Sequence, residues 1–143
     1  MSANEREFVD SNVIVYAHDR SPKSASEQAK ARELMERLWL QGNGCVSVQV
    51  LQECFVTVTR KLVRPLDVDQ AYALLEDLTA WRVHSPNAED VLAAVRIHRE
   101  HVISLWDALI VQSARALGCA TLWTQDLNDG QVIEGVLVQN PLR

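Results

Sequence analysis

The chain has 143 residues, of which 48% are hydrophobic and 23% are charged, a composition typical of a folded protein with an ordinary core. No apolar run approaches the roughly 18 residues that a membrane-spanning helix requires, and the first residues lack the basic and apolar regions of a secretion signal. We therefore expect one domain spanning residues 1–143 in the cytoplasm, with no membrane partner.

Short apolar segments alternate with longer segments of helical periodicity along the chain. The first apolar segment contains Phe8 and Val9 and predicts a buried strand that ends at Asp10. The later predicted strands lie at 45–48, 81–84, 120–123 and 136–138, and the predicted helices lie at 24–41, 49–63, 68–80, 87–100 and 105–117. Strands separated by helices imply βα units, and hence a mostly parallel sheet covered by helices on both faces.

The first informative acid is Asp107, because the other residues of its segment, LWDALIV, are all apolar. Its neighbours at i+3, i+4 and i+7 are Ile110, Val111 and Ala114, so its own face of the predicted helix is apolar. A buried, ionised carboxylate is costly unless it is paired or binds a cation. The alternative is an acid in the first helical turn, stabilised by the helix dipole and by Ser104.

Two further acids follow predicted strands. Asp10 ends the first strand, and Asp126 comes shortly after the strand at 120–123. Both are expected at the carboxyl edge of the parallel sheet, where open α/β sheets bind their ligands. The alternatives are an Asx-turn at Asp10 and an ordinary loop acid at Asp126.

Glu53 is the fourth candidate, on the predicted helix at 49–63. An exposed helical glutamate is usually explained by a salt bridge to a residue one turn away, but here i+3 and i+4 are Val56 and Thr57. A merely solvated glutamate remains the alternative.

Four carboxylates of this kind are suited to hard cations such as Mg²⁺ or Mn²⁺, which prefer oxygen ligands. A bound metal of this type activates water and neutralises phosphoryl charge in phosphodiester hydrolysis, without a covalent nucleophile. The sequence has no GxSxG, no GxxxxGK[ST] and no GxGxxG motif, so the common hydrolase, nucleoside triphosphate and dinucleotide signatures are absent.

The net charge of −5 argues at first against a nucleic-acid partner. If the four candidate acids are metal ligands, the remaining charge is only −1, and bound divalent cations would make the working surface positive. A basic stretch, Arg60, Lys61 and Arg64, follows Glu53 on the same helix and is a candidate for RNA phosphate contacts. A solvated, dipole-stabilised helix end is the equally weighted alternative.

At these residues the sequence resembles the PIN-domain family, and within it the VapC-type toxins of bacterial toxin-antitoxin pairs. The resemblance covers essentially the whole chain. It is carried by FVDSNVIVYAHD at the first aspartate, by VQVLQECFVTVTRK at the glutamate, and by SLWDALIVQSARALGCATLWTQDLNDGQVIEGVLVQNP in the closing half.

The resemblance implies a three-layer α/β/α PIN-like fold, an Mg²⁺ or Mn²⁺ centre, and cleavage of single-stranded or looped RNA. Asp10 and Asp107 would be metal ligands, with Glu53 and Asp126 completing the ligand set or acting through water. The residues expected to support this centre are Ser11, Asn12, Thr124 and Asp129, the last of which could instead lie in a turn.

The leading hypothesis is an RNA-cleaving toxin that a cognate antitoxin holds inactive by covering the acidic groove and the apolar surface of the helices around residues 24 to 64. The resemblance also suggests a homodimer. The alternatives are a PIN-type RNA-processing nuclease without an antitoxin and a binding module that keeps the fold without catalysis.

Overall fold

The computed structural model describes residues 5–143, except for the side chain of Lys23. Six strands form one sheet in the order β3-β2-β1-β4-β6-β5, in which every neighbouring pair is parallel except β5 with β6. The strands are β1 Glu7–Val9, β2 Gly44–Ser47, β3 Arg82–His84, β4 Thr121–Trp123, β5 Val132–Ile133 and β6 Val136–Gln139.

Six α-helices cover the two faces of this sheet. They are α1 Ser11–His18, α2 Ala25–Gln41, α3 Val48–Arg60, α4 Val68–Leu78, α5 Ala88–His101 and α6 Leu105–Ala116. The predicted three-layer α/β/α fold with a mostly parallel sheet is confirmed. Within the described part of the chain, no helix is long and apolar enough to cross a membrane.

The largest difference from the predicted elements is α1, a helix that was not assigned. Its apolar residues Val13, Ile14 and Val15 are buried, and such a run suits a buried strand as well as a buried helix. The side chain of Asp10 decides between them, because its Oδ1 accepts the Ser11 N–H at 2.7 Å and caps the helix.

The short strand β5 was also not predicted. It pairs with β6 across a tight turn at Glu134 and Gly135, which both have positive φ. Two residues are too few for a periodic signal, and the strand exists because β6 provides its partner.

Side-chain caps set the start of the helices that carry acids. Ser47 Oγ accepts the Val50 N–H at 3.3 Å at the start of α3, and Ser104 Oγ accepts the Asp107 N–H at 3.0 Å at the start of α6. Each cap fixes the residue at which its helix begins, and both helices begin at the carboxyl edge of the sheet.

The central strand β1 lies between β2 and β4, with Phe8 and Val9 fully buried. The Asp10 N–H continues the ladder by donating to the Trp123 carbonyl at 3.0 Å. Consequently Asp10 emerges at the middle of the carboxyl edge, next to the end of β4.

Candidate metal centre

Three carboxylates converge at the carboxyl edge of the sheet. Asp10, Asp107 and Asp126 each place one oxygen within 4.8 Å of the others. They come from the end of β1, the first turn of α6 and the loop after β4, three elements that are distant in the chain. The structure thus brings together three of the four acids that the sequence singled out.

Asp10 is the most enclosed member of this cluster, with only 4% of its surface exposed. Besides the bond from Ser11, its Oδ2 accepts the Thr124 hydroxyl at 2.8 Å. Burial raises the pKa of Asp10 to about 7; the hydrogen bonds from Thr124 and Ser11 oppose this shift, whereas the charges of Glu53 and Asp126 add to it. The two hydrogen bonds hold the carboxylate in place, and its burial makes the ionised form energetically unfavourable.

Thr124 links the two sides of the cluster. While its hydroxyl donates to Asp10, the same oxygen accepts the Asp126 N–H at 3.1 Å and lies 3.4 Å from Asn12 Nδ2. Asn12 Oδ1 in turn accepts the Gln125 N–H at 3.3 Å. This network holds the loop that carries Asp126 against the start of α1, and it places Asn12 and Thr124 directly behind the carboxylates.

Glu53 lies at the side of the cluster, on α3. Its Oε1 is 3.4 Å from Ser11 Oγ, which is 3.5 Å from Asp10 Oδ1. Burial raises the pKa of Glu53, and the charges of Asp107 and Asp126 raise it further, whereas hydrogen bonds from Gln49 and Ser11 lower it. The neighbouring carboxylates therefore raise the pKa of Glu53, and the Ser11 hydroxyl bridges Glu53 to Asp10.

Asp107 combines the two interpretations that its sequence position allowed. It lies in the first turn of α6, where Ser104 caps the helix, and it also faces the acidic cluster. Burial raises the pKa of Asp107, and the charge of Asp126 adds to that effect, while the hydrogen bond with Ser104 opposes it. A helix dipole favours this carboxylate, but it does not remove the repulsion between the acids.

The charge of the cluster is not offset by an internal cation. Among the ion pairs of residues 5–143, none involves Asp10, Glu53, Asp107 or Asp126. Several carboxylates with raised pKa values and no cationic partner are the donor set that a divalent, oxygen-preferring metal requires. The residues present therefore fit Mg²⁺ or Mn²⁺.

Asp129 is not brought into this cluster. Its Oδ1 accepts the Asn140 N–H at 2.7 Å, and its Oδ2 is 3.8 Å from Arg143. These contacts tie the loop after β4 to the C-terminal segment. Asp129 therefore lies in a turn, which was the alternative expected for it from the sequence.

The basic stretch lies at the end of α3. Arg60 is the last helical residue, Lys61 caps the helix, and Arg64 follows it, all three being exposed. Lys61 also lines a recess of about 320 Å³ together with Ser11 and Glu53. Lys61 and Glu53 therefore line the same recess, which places a cationic side chain beside the acidic centre.

Sequence reasoning assigned no role in the site to two polar neighbours of Glu53, at i−4 and i+4 on α3. Gln49 hydrogen-bonds Glu53 and also donates to the Trp106 carbonyl at 3.2 Å, which ties α3 to α6. Thr57 lines the recesses on both sides of Ser11. Helical spacing from Glu53 was the signal that could have identified both residues.

The α/β/α fold therefore carries, at the carboxyl edge of its sheet, a carboxylate cluster that could hold a divalent cation. The chain matches the PIN domain over residues 8–129, which is most of its length, and it therefore belongs to the PIN-domain family.

Solved structures of the same fold include several toxin-antitoxin proteins. A toxin-antitoxin complex from Klebsiella pneumoniae matches with a TM-score of 0.69 and 18% identity, covering 94% of this chain and 97% of that chain. DNA-bound VapBC from Salmonella typhimurium matches with a TM-score of 0.66 and 17% identity, covering 96% and 98%. A Sarcin-Ricin loop cleaving VapC toxin from Mycobacterium tuberculosis matches with a TM-score of 0.64 and 20% identity, covering 84% and 89%. No curated protein sequence matches the chain.

Proposed function

We propose that this protein is a metal-dependent endoribonuclease and the toxin of a toxin-antitoxin pair. The observation that carries the proposal is the convergence of Asp10, Asp107 and Asp126 on a PIN fold, where none of them forms an ion pair within residues 5–143. The similarity to toxin-antitoxin proteins, one of them described as a Sarcin-Ricin loop cleaving toxin, supports the choice of RNA and of an antitoxin.

In this proposal Asp10, Asp107 and Asp126 hold Mg²⁺ or Mn²⁺, and Glu53 completes the ligand set or acts through water. A bound ion of this kind supplies an activated water and neutralises charge on the phosphoryl oxygens. Thr124 and Ser11 keep the two oxygens of Asp10 in fixed positions, so the carboxylate does not have to reorganise during the reaction. The raised pKa of Glu53 suits it to accept a proton at the rim of the site.

The RNA backbone is proposed to approach along α3. Lys61 shares a recess with Glu53, and Arg60 and Arg64 extend the positive charge beyond it. Phosphate contacts there would position the strand without specifying its sequence.

The antitoxin is proposed to cover the acidic groove and the apolar surface of α2 and α3. Leu40 on α2 is 89% exposed and Val56 on α3 is 41% exposed, which gives these helices apolar surface for a partner. A basic antitoxin side chain that displaces the metal would then hold the toxin inactive. A homodimer and a cytoplasmic location are further parts of the proposal.

The proposal is tested by incubating the purified protein with an RNA pool in Mg²⁺, Mn²⁺ or EDTA, beside Asp107→Asn. Cleavage is expected with either metal and is expected to be lost in EDTA and in the variant. Asp69→Asn, which removes the charge of an exposed aspartate on α4, is the matched control and should cleave normally. Equal cleavage by Asp107→Asn, or cleavage in EDTA, would contradict the mechanism.

A further inference from the structure

A recess beside the acidic centre has no role in the function described so far. It has a volume of about 240 Å³ and lies between α1, the start of α2 and α3. Its lining consists of Ser11, Asn12, Val15, Tyr16, Asp19, Ser24 and Thr57. The volume is below the roughly 300–1,000 Å³ of pockets that enclose whole drug-sized ligands, and it suits a single planar ring system.

The recess shares a wall with the candidate metal centre. Ser11 bridges Asp10 and Glu53 on one side and lines the recess on the other. Asn12, which also lines the recess, is held by its hydrogen bonds with Thr124 and Gln125. Any group bound in the recess therefore lies next to a phosphodiester bound at the carboxylates.

The two recesses beside Ser11 differ in charge. The recess along α3 is lined by Lys61 as well as Glu53, whereas the recess along α1 is lined by Asp19 and, among the described residues, by no cation. A phosphate can therefore contact a cation in the first recess, whereas the second offers it only repulsion from Asp19. An RNA strand at this site would place its backbone toward Lys61 and an uncharged part, the base, toward Asp19.

The side chains of the α1 recess suit a base. Tyr16 is half-buried and offers an aromatic ring, and Val15 adds apolar surface. Asp19 is held in position because its Oδ1 accepts the Ser21 N–H at 2.9 Å while its own N–H ends α1 at the Val15 carbonyl. A fixed carboxylate accepts hydrogen bonds only, so it selects bases by the donors they present.

We propose that this recess receives an unpaired nucleobase beside the scissile phosphate, and that Asp19 selects guanine. Guanine presents two adjacent donors, N1–H and the 2-amino group, which match the two oxygens of a carboxylate. Adenine and cytosine present one amino group beside a ring acceptor, and the single donor of uracil is flanked by two carbonyl oxygens. In a duplex these edges are already paired, so the base must come from a single-stranded or looped segment.

This inference rests on the proposed ribonuclease function, and a binding measurement separates the two. The Asp107→Asn protein, in Mg²⁺, is titrated with short oligouridine RNAs that carry A, C, G or U at one central position. We expect the guanosine-containing RNA to bind about tenfold more tightly than oligouridine. Annealing it to its complement should abolish that preference.

Substitutions of Asp19 and Tyr16 test whether the side chains that line the recess produce the guanosine preference. Asp19→Asn, whose amide can still accept the Ser21 N–H, should bring the guanosine and uridine affinities within about twofold of each other. Tyr16→Ala should weaken binding of all four RNAs, and Tyr16→Phe should not. Glu36→Gln removes the charge of an exposed glutamate on α2 and should leave the preference unchanged. Thermal unfolding confirms that each variant is folded.

Each outcome has a distinct meaning when the cut ends of a random RNA pool are also sequenced with the unmodified protein. Equal affinity for the four RNAs, or a guanosine preference that persists in Asp19→Asn, would overturn the inference. The recess would then be a candidate site for a segment of a protein partner. Cleavage without a guanosine preference would overturn it while the ribonuclease function stands. Guanosine-selective binding without cleavage would support the base site and overturn the proposed function.

Discussion

Glu7 and Asp10 lie three residues apart at opposite ends of the central strand, and both are almost fully buried, with exposures of 2% and 4%. The oxygens of Glu7 accept two bonds from Arg37, at 2.7 and 2.9 Å, and one from the Trp123 indole at 2.9 Å. Within residues 5–143, Asp10 accepts bonds from the neutral donors of Ser11 and Thr124 and lies among other acids.

The pKa values of the two carboxyls shift in opposite directions. Burial raises the pKa of Glu7, but Arg37, Trp123 and Asn43 more than compensate, so the net pKa is lowered. Burial raises the pKa of Asp10 to about 7, and its neighbouring acids add to the shift. The amino end of the strand thus contains its own counter-ion, whereas no ion pair within residues 5–143 offsets Asp10 at the carboxyl end. Such an uncompensated cluster is the pattern expected of a functional site.

The sharpest test of this contrast is cleavage by Asp10→Asn and Glu7→Gln. Asp10→Asn should lower the single-turnover cleavage rate in Mg²⁺ by about 10³-fold, roughly 4 kcal/mol of transition-state stabilisation, because the substitution removes a proposed metal ligand. Glu7→Gln, measured below its own unfolding temperature, should cleave nearly as fast as the unmodified protein. Comparable losses in both variants would mean that Asp10 acts only through the fold.

The second test is the pH dependence of stability in EDTA. The folded pKa of Asp10, about 7, exceeds its ordinary value of 3.8, so the folded state binds more protons between these values. The contribution of Asp10 to the free energy of unfolding should therefore fall as pH rises from about 4 to 7, by about 2–4 kcal/mol. It is measured as the difference between the unmodified protein and Asp10→Asn in urea denaturation between pH 4 and pH 8, because other groups, such as His18 with its lowered pKa, contribute in the opposite direction. A difference that rises with pH over this interval would be inconsistent with an uncompensated Asp10.

The third test concerns the compensated end. Glu7→Gln should destabilise the protein by about 1–3 kcal/mol at pH 7, because Arg37 loses its buried carboxylate. Since the folded pKa of Glu7 is lowered, the stability that its ionised form contributes is present above its ordinary pKa of 4.5 and is lost as pH falls through the folded value. The difference between Glu7→Gln and the unmodified protein in urea should therefore shrink in acid. Glu33→Gln, an exposed glutamate, is the control.

The smallest expected effect is at Lys61, a cation that lies beside the acidic centre. Lys61→Ala should weaken RNA binding only several-fold and reduce the slope of log affinity against log salt by about one unit, as expected for one lost phosphate contact. Lys30→Ala, whose ammonium instead donates to the Leu142 carbonyl, should leave the slope unchanged. An unchanged slope in Lys61→Ala would place the RNA backbone elsewhere.

Most elements could be predicted because their apolar residues recur at helical spacing or form short buried runs. The helices α2 and α6 begin and end within one residue of the predicted positions, and the side chains of Asp67 and Asn87 cap α4 and α5. The run from residue 11 to 18 was missed because a continuously buried segment has no distinguishing period. The end of α3 at Arg60 falls short of the predicted residue 63, before Pro65 can break the helix.

The candidate site could be predicted only in part. Asp10 and Asp126 were placed at the carboxyl edge because parallel strands share that edge, and Asp107 stood out on an apolar helix face. The turn held by Asp129 and the bridge from Ser11 to Glu53 depend on contacts between segments 11 and 42 residues apart, which no local pattern encodes.

By itself, the sequence determined the alternation of strands and helices, the class of fold and the acids that no neighbouring cation offsets, because these follow from local periodicity and residue type. Only the tertiary structure decided which carboxylates meet, that Glu7 is neutralised while Asp10 is not, and that Asp19 and Lys61 line two different recesses beside Ser11. Those outcomes depend on distances across the sheet and between helices, and the same acids carry different charges, pKa values and roles according to the groups that folding places around them.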